Sequence, residues 1–170
     1  MKKYWDIILI NLLFLIFALL IYNFIGHKVE VLGAFIAIGI SLSLGIRSYK
    51  SDNDKIFKEL FKEFNEKYDN KFNDGLEDIE IQYLKDNNFV LDSNQKKLVV
   101  DYLNLCAEEY LWYELERIPE KVWRSWENGM VYYLNIKPIN IIVQEENKKS
   151  DSYYGLFKKL EQKLNSFTPN

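Results

Sequence analysis

The sequence has one cysteine, one histidine and three arginines among its 170 residues. A single cysteine cannot form an intramolecular disulfide. Because Cys106 lies in the apolar stretch 103–107, we interpret it as a structural thiol inside a helix. One cysteine and one histidine are too few for a zinc site of the cysteine and histidine type. We therefore expect neither a bound metal ion nor another cofactor.

Catalytic and nucleic-acid-binding motifs are also missing. The chain has no Gly-x-Ser-x-Gly motif and no glycine-rich phosphate loop, and its one histidine, His27, lies outside the polar part of the chain that contains Cys106. From Lys50 onward the chain carries 18 basic and 23 acidic residues, which argues against a nucleic-acid partner. We expect a protein that is not an enzyme.

Two apolar runs dominate the start of the chain. Residues 5–25 and 29–46 are joined only by Gly26, His27 and Lys28. As helices they would be roughly 31 and 27 Å long, close to the ~30 Å of a bilayer core. A cleaved secretory signal is not favoured, because no small-x-small site precedes Gly26 and a second run follows at once. The sequence therefore predicts a transmembrane hairpin in residues 1–49 and a soluble domain in residues 50–170.

The distribution of positive charge predicts the orientation of this hairpin. Lys2 and Lys3 precede the first run and Arg47 and Lys50 follow the second, whereas the turn between the runs has only Lys28. Loops rich in lysine and arginine stay on the cytoplasmic side of a membrane. We therefore expect a two-pass protein with both termini, and the soluble domain, in the cytoplasm.

A stripe of small residues marks the second run. Its members recur every four positions: Gly33, Ala37, Ser41 and Gly45. Such a stripe lets a neighbouring helix approach closely. It has two interpretations, which can coexist: it packs on the first helix of the same chain, or it mediates self-association between chains.

Polar residues inside the runs predict one further contact. Asn11 in the first run lies at the same depth as Ser41 and Ser43 in the second. A hydrogen bond among them would contribute about 0.6–2 kcal/mol, and it would fix the register of the hairpin or bridge two chains. No ionisable residue lies in the middle of either run, which argues against a constitutive ion channel.

The soluble part reads as helices throughout. Apolar residues recur at spacings of three and four, and Asp74-Gly75, Asn87-Asn88, Pro119 and Pro138 punctuate them. The predicted helices cover residues 52–72, 76–88, about 93–117 and 119–135, with a last helix capped by Asp151 or Ser152. Residues 139–143 suit a short helix or a strand. We predict an all-α bundle of five or six helices, with the helix that begins near Ser93 at its centre.

The most unusual segment runs from Glu108 to Trp126 and holds three of the four tryptophans and two of the three arginines. Glu108 and Glu109 point about 100° apart on a helix, so they do not form an acid and base pair. One interpretation is a helical corner with tryptophans in its core. The functional alternative is a pocket that binds a phosphate-bearing ligand, such as a nucleotide, through aromatic stacking and bidentate arginine contacts. The residues of this predicted pocket are Arg117, Arg124, Trp123 and Trp126.

Residues 98–142 resemble a group of small bacterial proteins. The similarity rests on Tyr102-Leu103-Asn104 in one helix and on the start of the next, Ile118-Pro119-Glu120-Lys121-Val122-Trp123. In these proteins the segment forms a helical domain of unknown function, often behind membrane helices. The resemblance implies an α-helical domain of unknown function and provides no catalytic residue to transfer to this chain. The architecture is also similar to that of two-helix membrane effectors of bacterial defence systems, by analogy alone.

Together these observations predict a non-enzymatic inner-membrane protein. Its hairpin anchors a cytoplasmic helical domain and oligomerises it, and that domain binds another macromolecule. The alternative is a membrane-disrupting effector whose helical domain senses a nucleotide or another partner. The expected partners are the lipid bilayer, further copies of the chain, and a cytoplasmic protein or a small phosphate-bearing ligand.

Overall fold

The structure is a computed structural model that describes residues 5–24, 29–149 and 152–164. All regular elements in these residues are helical, which confirms the all-α class. The α-helices are α1 (Trp5–Phe24), α2 (Val29–Lys67), α3 (Asn73–Lys85), α4 (Ser93–Glu114), α5 (Glu120–Leu134), α6 (Lys137–Asn147) and α7 (Leu156–Leu164). A π-helical turn (Tyr68–Phe72) joins α2 to α3, and a 3₁₀ turn (Ser152–Gly155) precedes α7. The predicted turn at 26–28 and the predicted cap Asp151 lie outside the described residues.

The chain divides into two compact units, Met1–Ile56 and Phe57–Asn170, which we call the hairpin unit and the helical unit. In the hairpin unit, α1 and the apolar start of α2 are long and apolar enough to cross a membrane, by length and composition. Only 6% of the residues in each apolar window are buried. Neither window is therefore packed inside the structure as the core helix of a soluble protein would be.

Three contacts hold α1 antiparallel to α2. At the beginning of α1, Asp6 forms an ion pair with Lys50 of α2, whose Nζ lies 2.7 Å from a carboxylate oxygen of Asp6. One turn further along α1, Asn11 Nδ2 donates to Ser43 Oγ at 2.5 Å, which is the hydrogen bond expected from their matching depth. At the next turn, a Cβ placed on Gly39 would lie 3.1 Å from Phe14 Cβ. Together these contacts fix the register of the hairpin.

The interpretation that the Gly33 stripe packs on α1 is wrong. Gly33 and Gly45 have no atom within 4 Å of an added Cβ, and Ala37 and Ser41 are exposed. The residue that approaches α1 is Gly39, two positions from Ala37 and therefore about 200° around the helix. Small residues lie on both faces of α2, so their spacing alone does not identify the face that packs.

In the helical unit, the predicted break at Asp74-Gly75 is also wrong. The chain stays helical through this point, because a π-helical turn, closed by Asn73 N–H donating to the Tyr68 carbonyl, leads directly into α3. Gly75 lies in the first turns of α3, where a Cβ would be 2.7 Å from Leu98 Cδ1. This glycine serves the close approach of α3 to α4 rather than a turn.

Helix α4 is central, as predicted, and contacts α3, α5, α6 and α7. Asp92 begins it with a capping box, in which its side chain accepts from Asn94 and Gln95 N–H and the Gln95 side chain accepts from Asp92 N–H. The helix ends at Glu114 rather than near Arg117, because the following Glu116 adopts a left-handed conformation (φ 57°).

The remaining helices follow the proline signals. Pro119 was predicted in the first turn of α5, and it stands at the N-cap, one position before that turn begins. Pro138 opens α6, so residues 139–143 form a helix and not a strand. Ser152 begins the 3₁₀ turn and does not cap α7. With the end of α2, the described part of this unit contains six α-helical segments, within the predicted range.

Candidate functional site

Two concave regions of the helical unit bear on function. The larger is an open cleft of about 690 Å³ beside α5, α7 and the end of α4. It is lined by Tyr113, Glu120, Trp123, Arg124, Glu127, Asn128, Lys158, Lys159, Glu161, Gln162 and Lys163. Two predicted ligand residues, Trp123 and Arg124, line this cleft, whereas Trp126 lines a different cavity. Arg117 lies half-buried in the α4–α5 connection, outside the lining of both. The structure does not bring the four residues to one site.

Opposite charges pair across much of the cleft. Arg124 Nε lies 2.7 Å from Glu120 Oε1, and the Tyr113 hydroxyl group donates a hydrogen bond to Glu120 Oε2 at 2.5 Å. The hydrogen bond from Tyr113, followed by that from Arg124, holds the pKa of Glu120 below its usual value. Lys163 Nζ lies 2.6 Å from the buried Glu127 carboxylate. The guanidinium group of Arg124 is therefore already paired with the Glu120 carboxylate, and an anionic ligand would have to compete with that carboxylate for it.

The two predicted tryptophans pack on other aromatic rings. Trp123 is only 1% exposed and stacks on Tyr113, with ring centroids 4.9 Å apart and planes inclined by 14°. Trp126 is half-buried and stacks on Phe61 at 5.9 Å, with Phe64 edge-on. Trp123 therefore belongs to the core at the helical corner, as the structural interpretation expected. Trp126 keeps part of its surface free for a cavity.

That cavity, of about 210 Å³, is the second concave region. It is lined by Asn65, Tyr68, Tyr102, Glu109, Ser125, Trp126, Gly129 and Met130. Glu109 and Met130 are buried and form its floor, Tyr102 is buried in one wall, and Ser125 and Gly129 are exposed at its mouth. The lining comes from the end of α2, the π-helical turn, α4 and α5.

The π-helical turn supplies one wall of this cavity. Tyr68 is the first residue of this turn, and the centroid of the Tyr68 ring lies 6.2 Å from the centroid of the Tyr102 ring on α4. An inserted turn of this kind changes the direction of side chains relative to a regular helix and is frequent at functional sites. Here it occurs where α2 passes the cavity, so the irregular backbone and the cavity coincide.

Glu109 is the unusual group in the cavity. Its exposed fraction is 7%, and it forms no hydrogen bond or ion pair with any residue that the structure describes. Burial raises its pKa to about 8, and the neighbouring Glu108 adds to the shift. Lys67 opposes the shift, but its ammonium group is held by Glu63 at 2.9 Å and by Glu108 at 3.4 Å. Glu109 is therefore largely protonated near neutral pH.

The other buried carboxylates show how different Glu109 is. Glu127 has Lys163 as its partner, and Glu146 accepts hydrogen bonds from Lys149 at 2.6 Å and from the Tyr153 hydroxyl at 2.7 Å. Buried carboxyl groups normally have such partners, because leaving one unpaired is unfavourable. An unpaired carboxyl on the floor of an accessible cavity is consistent with a role beyond folding.

The sequence interpretation missed Glu109 because it considered only the pair with Glu108. A signal was present: Tyr102, Cys106 and Glu109 recur at spacings of four and three on α4. This is the spacing of a buried helical stripe, and a carboxyl group on such a stripe is an exception to its apolar pattern. Among the described residues, no group of three or more histidine, cysteine or acidic side chains is arranged to hold a metal ion.

Comparison with known proteins gives no relative from which to transfer a function. No protein-family model matches the chain, and no curated protein and no solved structure matches it at a significant level. The resemblance of residues 98–142 to small bacterial helical proteins stays a hypothesis. The function is therefore inferred from the residues and their geometry.

Proposed function

We propose that this chain is a non-enzymatic, membrane-anchored protein. Its hairpin unit crosses a bacterial inner membrane, and its helical unit binds a cytoplasmic partner. The observation that carries this proposal is the exposure of large apolar side chains around both hairpin helices, for example 57% for Ile8, 62% for Leu20 and 60% for Leu44. Burial of one such side chain away from water contributes roughly 1.5–3 kcal/mol. A bilayer would provide that burial along both helices, and water would not.

The charges at the ends of the hairpin support cytoplasmic termini. Asp6 and Lys50 form their ion pair at the end of the hairpin where Arg47 and the following lysines lie. Loops rich in lysine and arginine are retained on the cytoplasmic side. We assign the turn between the helices to the opposite side of the membrane.

We further propose that the hairpin self-associates through its outward stripe of Gly33, Ala37, Ser41 and Gly45. All four residues are exposed, so within one chain none of them serves the contact between α1 and α2. Small residues on an outward helical face let a second helix approach closely, and backbone packing then favours association over contact with lipid. A second copy of the same chain is the partner that this stripe fits.

The proposed partner of the helical unit is a protein. Apolar side chains are exposed at the end of α3 and in the loop that follows, with Leu84 at 73% and Val90 at 75% exposure. A contiguous patch of exposed apolar surface is typical of protein-binding sites, and we propose that these two side chains belong to one. We expect the double variant Leu84→Ser/Val90→Ser to fold normally and to recover less of any protein that copurifies with the full-length chain.

The first experiment measures membrane association and native mass of the full-length protein in a non-ionic maltoside detergent. We expect alkaline extraction to leave the protein in the membrane fraction and the native mass to correspond to a defined oligomer. Gly33→Leu and Gly45→Leu should reduce the mass to that of a monomer, while Gly129→Ala, in the helical unit, should not change it. Release of the protein by alkali would contradict anchoring. An unchanged mass in both leucine variants would contradict association through this stripe.

A ligand-triggered membrane effector is the second candidate. It is favoured by Lys158 and Lys159, which line the open cleft beside Arg124 and form no carboxylate ion pair within the described part of the chain. Two such ammonium groups could bind a phosphate-bearing ligand. This candidate predicts that nucleotides bind the cleft and release dye from liposomes containing the protein, and that Lys158→Ala/Lys159→Ala abolishes both effects. Absence of nucleotide-dependent release would leave the anchored partner-binding protein as the better proposal.

A further inference from the structure

The cavity beside Glu109 combines three features. Its floor carries a buried carboxyl group without a partner among the described residues, its walls include the rings of Tyr68, Tyr102 and Trp126, and its mouth is open at Ser125 and Gly129. All of these residues belong to the helical unit. The inference drawn from them does not depend on the role of the hairpin.

The carboxyl group determines the sign of the ligand's charge. Ionised Glu109 would be a buried anion, and it would repel an anionic ligand at close range. A cation removes the unfavourable burial of an unpaired charge, because the cation and the carboxylate neutralise each other. A cationic ligand is therefore the one that gains most from this residue.

The walls determine the kind of cation. Calcium and magnesium bind six or more oxygen ligands or retain several waters, and one carboxylate among three aromatic rings does not provide such a shell. Aromatic faces instead attract weakly hydrated organic cations, above all ammonium groups bearing alkyl substituents. Met130 adds an apolar surface for those substituents.

We propose that this cavity binds a small organic ammonium ion, with the Glu109 carboxylate as its counter-ion and Tyr68, Tyr102 and Trp126 as its aromatic walls. The volume of about 210 Å³ fits a compact cation. For comparison, an engineered protein cavity of about 150 Å³ holds benzene. Asn65 and Ser125, near the mouth, are placed to contact a polar substituent such as a hydroxyl group.

Binding should depend on pH through Glu109. The titratable groups around it are Glu108, Cys106 and Tyr102 on α4, Lys67 on α2 and Tyr68 in the π-helical turn, and α5 contributes none to the lining. Burial raises the pKa of both tyrosines and of Cys106, and the hydrogen bond to Glu63 raises that of Lys67. These four groups therefore keep their protons between pH 6 and pH 9. Glu109 is therefore the group in the cavity whose loss of a proton makes cation binding depend on pH.

The test is calorimetric titration of the full-length protein, in a maltoside detergent without choline head groups, with choline, tetramethylammonium and methylammonium. The uncharged carbon isostere of choline, in which carbon replaces the ammonium nitrogen, is the ligand control. We expect choline or tetramethylammonium to bind at least about tenfold more tightly than the isostere, and at least about tenfold more tightly at pH 9 than at pH 6. Stronger binding of methylammonium would identify a primary rather than a quaternary ammonium ligand.

Two variants separate charge from shape. Glu109→Gln keeps the size of the side chain and should lower cation affinity at pH 9 by about tenfold or more and abolish its pH dependence. Gly129→Leu extends a side chain at the mouth, where an added Cβ meets no atom within 4 Å, and should block binding without disturbing the fold. Glu145→Gln, at an exposed position of α6, removes the same charge elsewhere and should change nothing. The proposal is overturned if no ammonium ion binds at millimolar concentration, if choline and its isostere bind equally, or if Glu109→Gln retains full affinity.

Discussion

Gly39 lies against Phe14 so closely that a Cβ on the glycine would be 3.1 Å from the phenylalanine Cβ. This is tighter than ordinary van der Waals contact, so the absence of a side chain at position 39 allows the two hairpin helices to meet. Four residues further along α2, Ser43 accepts a hydrogen bond from Asn11, and its hydroxyl group donates back to the Gly39 carbonyl. Close packing and polar contact thus occur on the same face of α2.

We expect Gly39→Ala to destabilise the hairpin by about 1–3 kcal/mol, because the added methyl group must displace Phe14 or separate the helices. Phe14→Ala should restore part of this loss in the double variant, since the two residues are in contact. The measurement is helix content during titration of the full-length protein with dodecyl sulfate in mixed micelles. Gly33→Ala, on the open face, is the matched control. Equal effects at positions 33 and 39 would contradict the packing described for the hairpin.

Local signals predicted most helices correctly, because each signal acts within one or two turns. The Asp92 capping box and the apolar stripe of α4 depend only on residues a few positions apart. Pro119 and Pro138 mark the starts of α5 and α6 for the same reason, since proline favours the first positions of a helix. These features require no knowledge of tertiary packing.

The errors occurred where tertiary contacts decide. Gly75 is a turn residue by local preference, but it lies in α3, where Leu98 of another helix occupies the space of its missing side chain. The choice between the two small-residue faces of α2 depends on Phe14, which is distant in sequence. The partners of Arg124 and the isolation of Glu109 likewise depend on which side chains the fold brings near them. Spacing along the chain contains none of this information.

Two glycines of the helical unit should respond differently to alanine. Gly129 lies in the middle of α5 with open space around its missing side chain, so Gly129→Ala should raise the free energy of unfolding by about 0.5–1 kcal/mol through helix propensity alone. Gly75→Ala gains helix propensity in the same way, but it forces the end of the Leu98 side chain to move, so its net stabilisation should be smaller than that of Gly129→Ala by about 1 kcal/mol. The measurement is denaturant unfolding followed by tryptophan fluorescence. Equal stabilisation by both changes would contradict the close approach of α3 to α4.

The turn before α7 stores backbone strain. Tyr153, Tyr154 and Gly155 have φ angles of 64°, 52° and 86°, and the left-handed region costs a residue with a side chain about 1–2 kcal/mol. Tyr154 is 62% exposed, so Tyr154→Gly loses little packing and should stabilise the protein by about 0.5–1 kcal/mol. Gly155→Ala, at the third position, should destabilise it by about 1 kcal/mol. Thermal unfolding midpoints of the two variants test this, and a lower midpoint for Tyr154→Gly would show that its ring contributes more than the strain costs.

The pH dependence of stability should reveal Glu109 even without a ligand. The pKa of this carboxyl is about 8 in the folded protein and near its ordinary value of 4.5 in the unfolded chain, so the folded state holds the extra proton between these values. The stabilisation contributed by the proton on Glu109 is therefore fully present below about pH 4.5, and it is lost as the pH rises towards 8. The slope is at most about 1.4 kcal/mol per pH unit, and the total loss between pH 5 and pH 8 is roughly 3–4 kcal/mol.

Glu109→Gln isolates this contribution. Glutamine does not ionise, so the variant should be more stable than the wild type at pH 8, and the difference between them should shrink steadily towards pH 5. The carboxylates whose pKa is lowered, such as Asp101 beside Lys97 and Lys71, affect stability only at lower pH and do not interfere. The measurement is urea unfolding at intervals of half a pH unit. A constant difference across this range would mean that Glu109 is ionised in the folded protein and already has a partner.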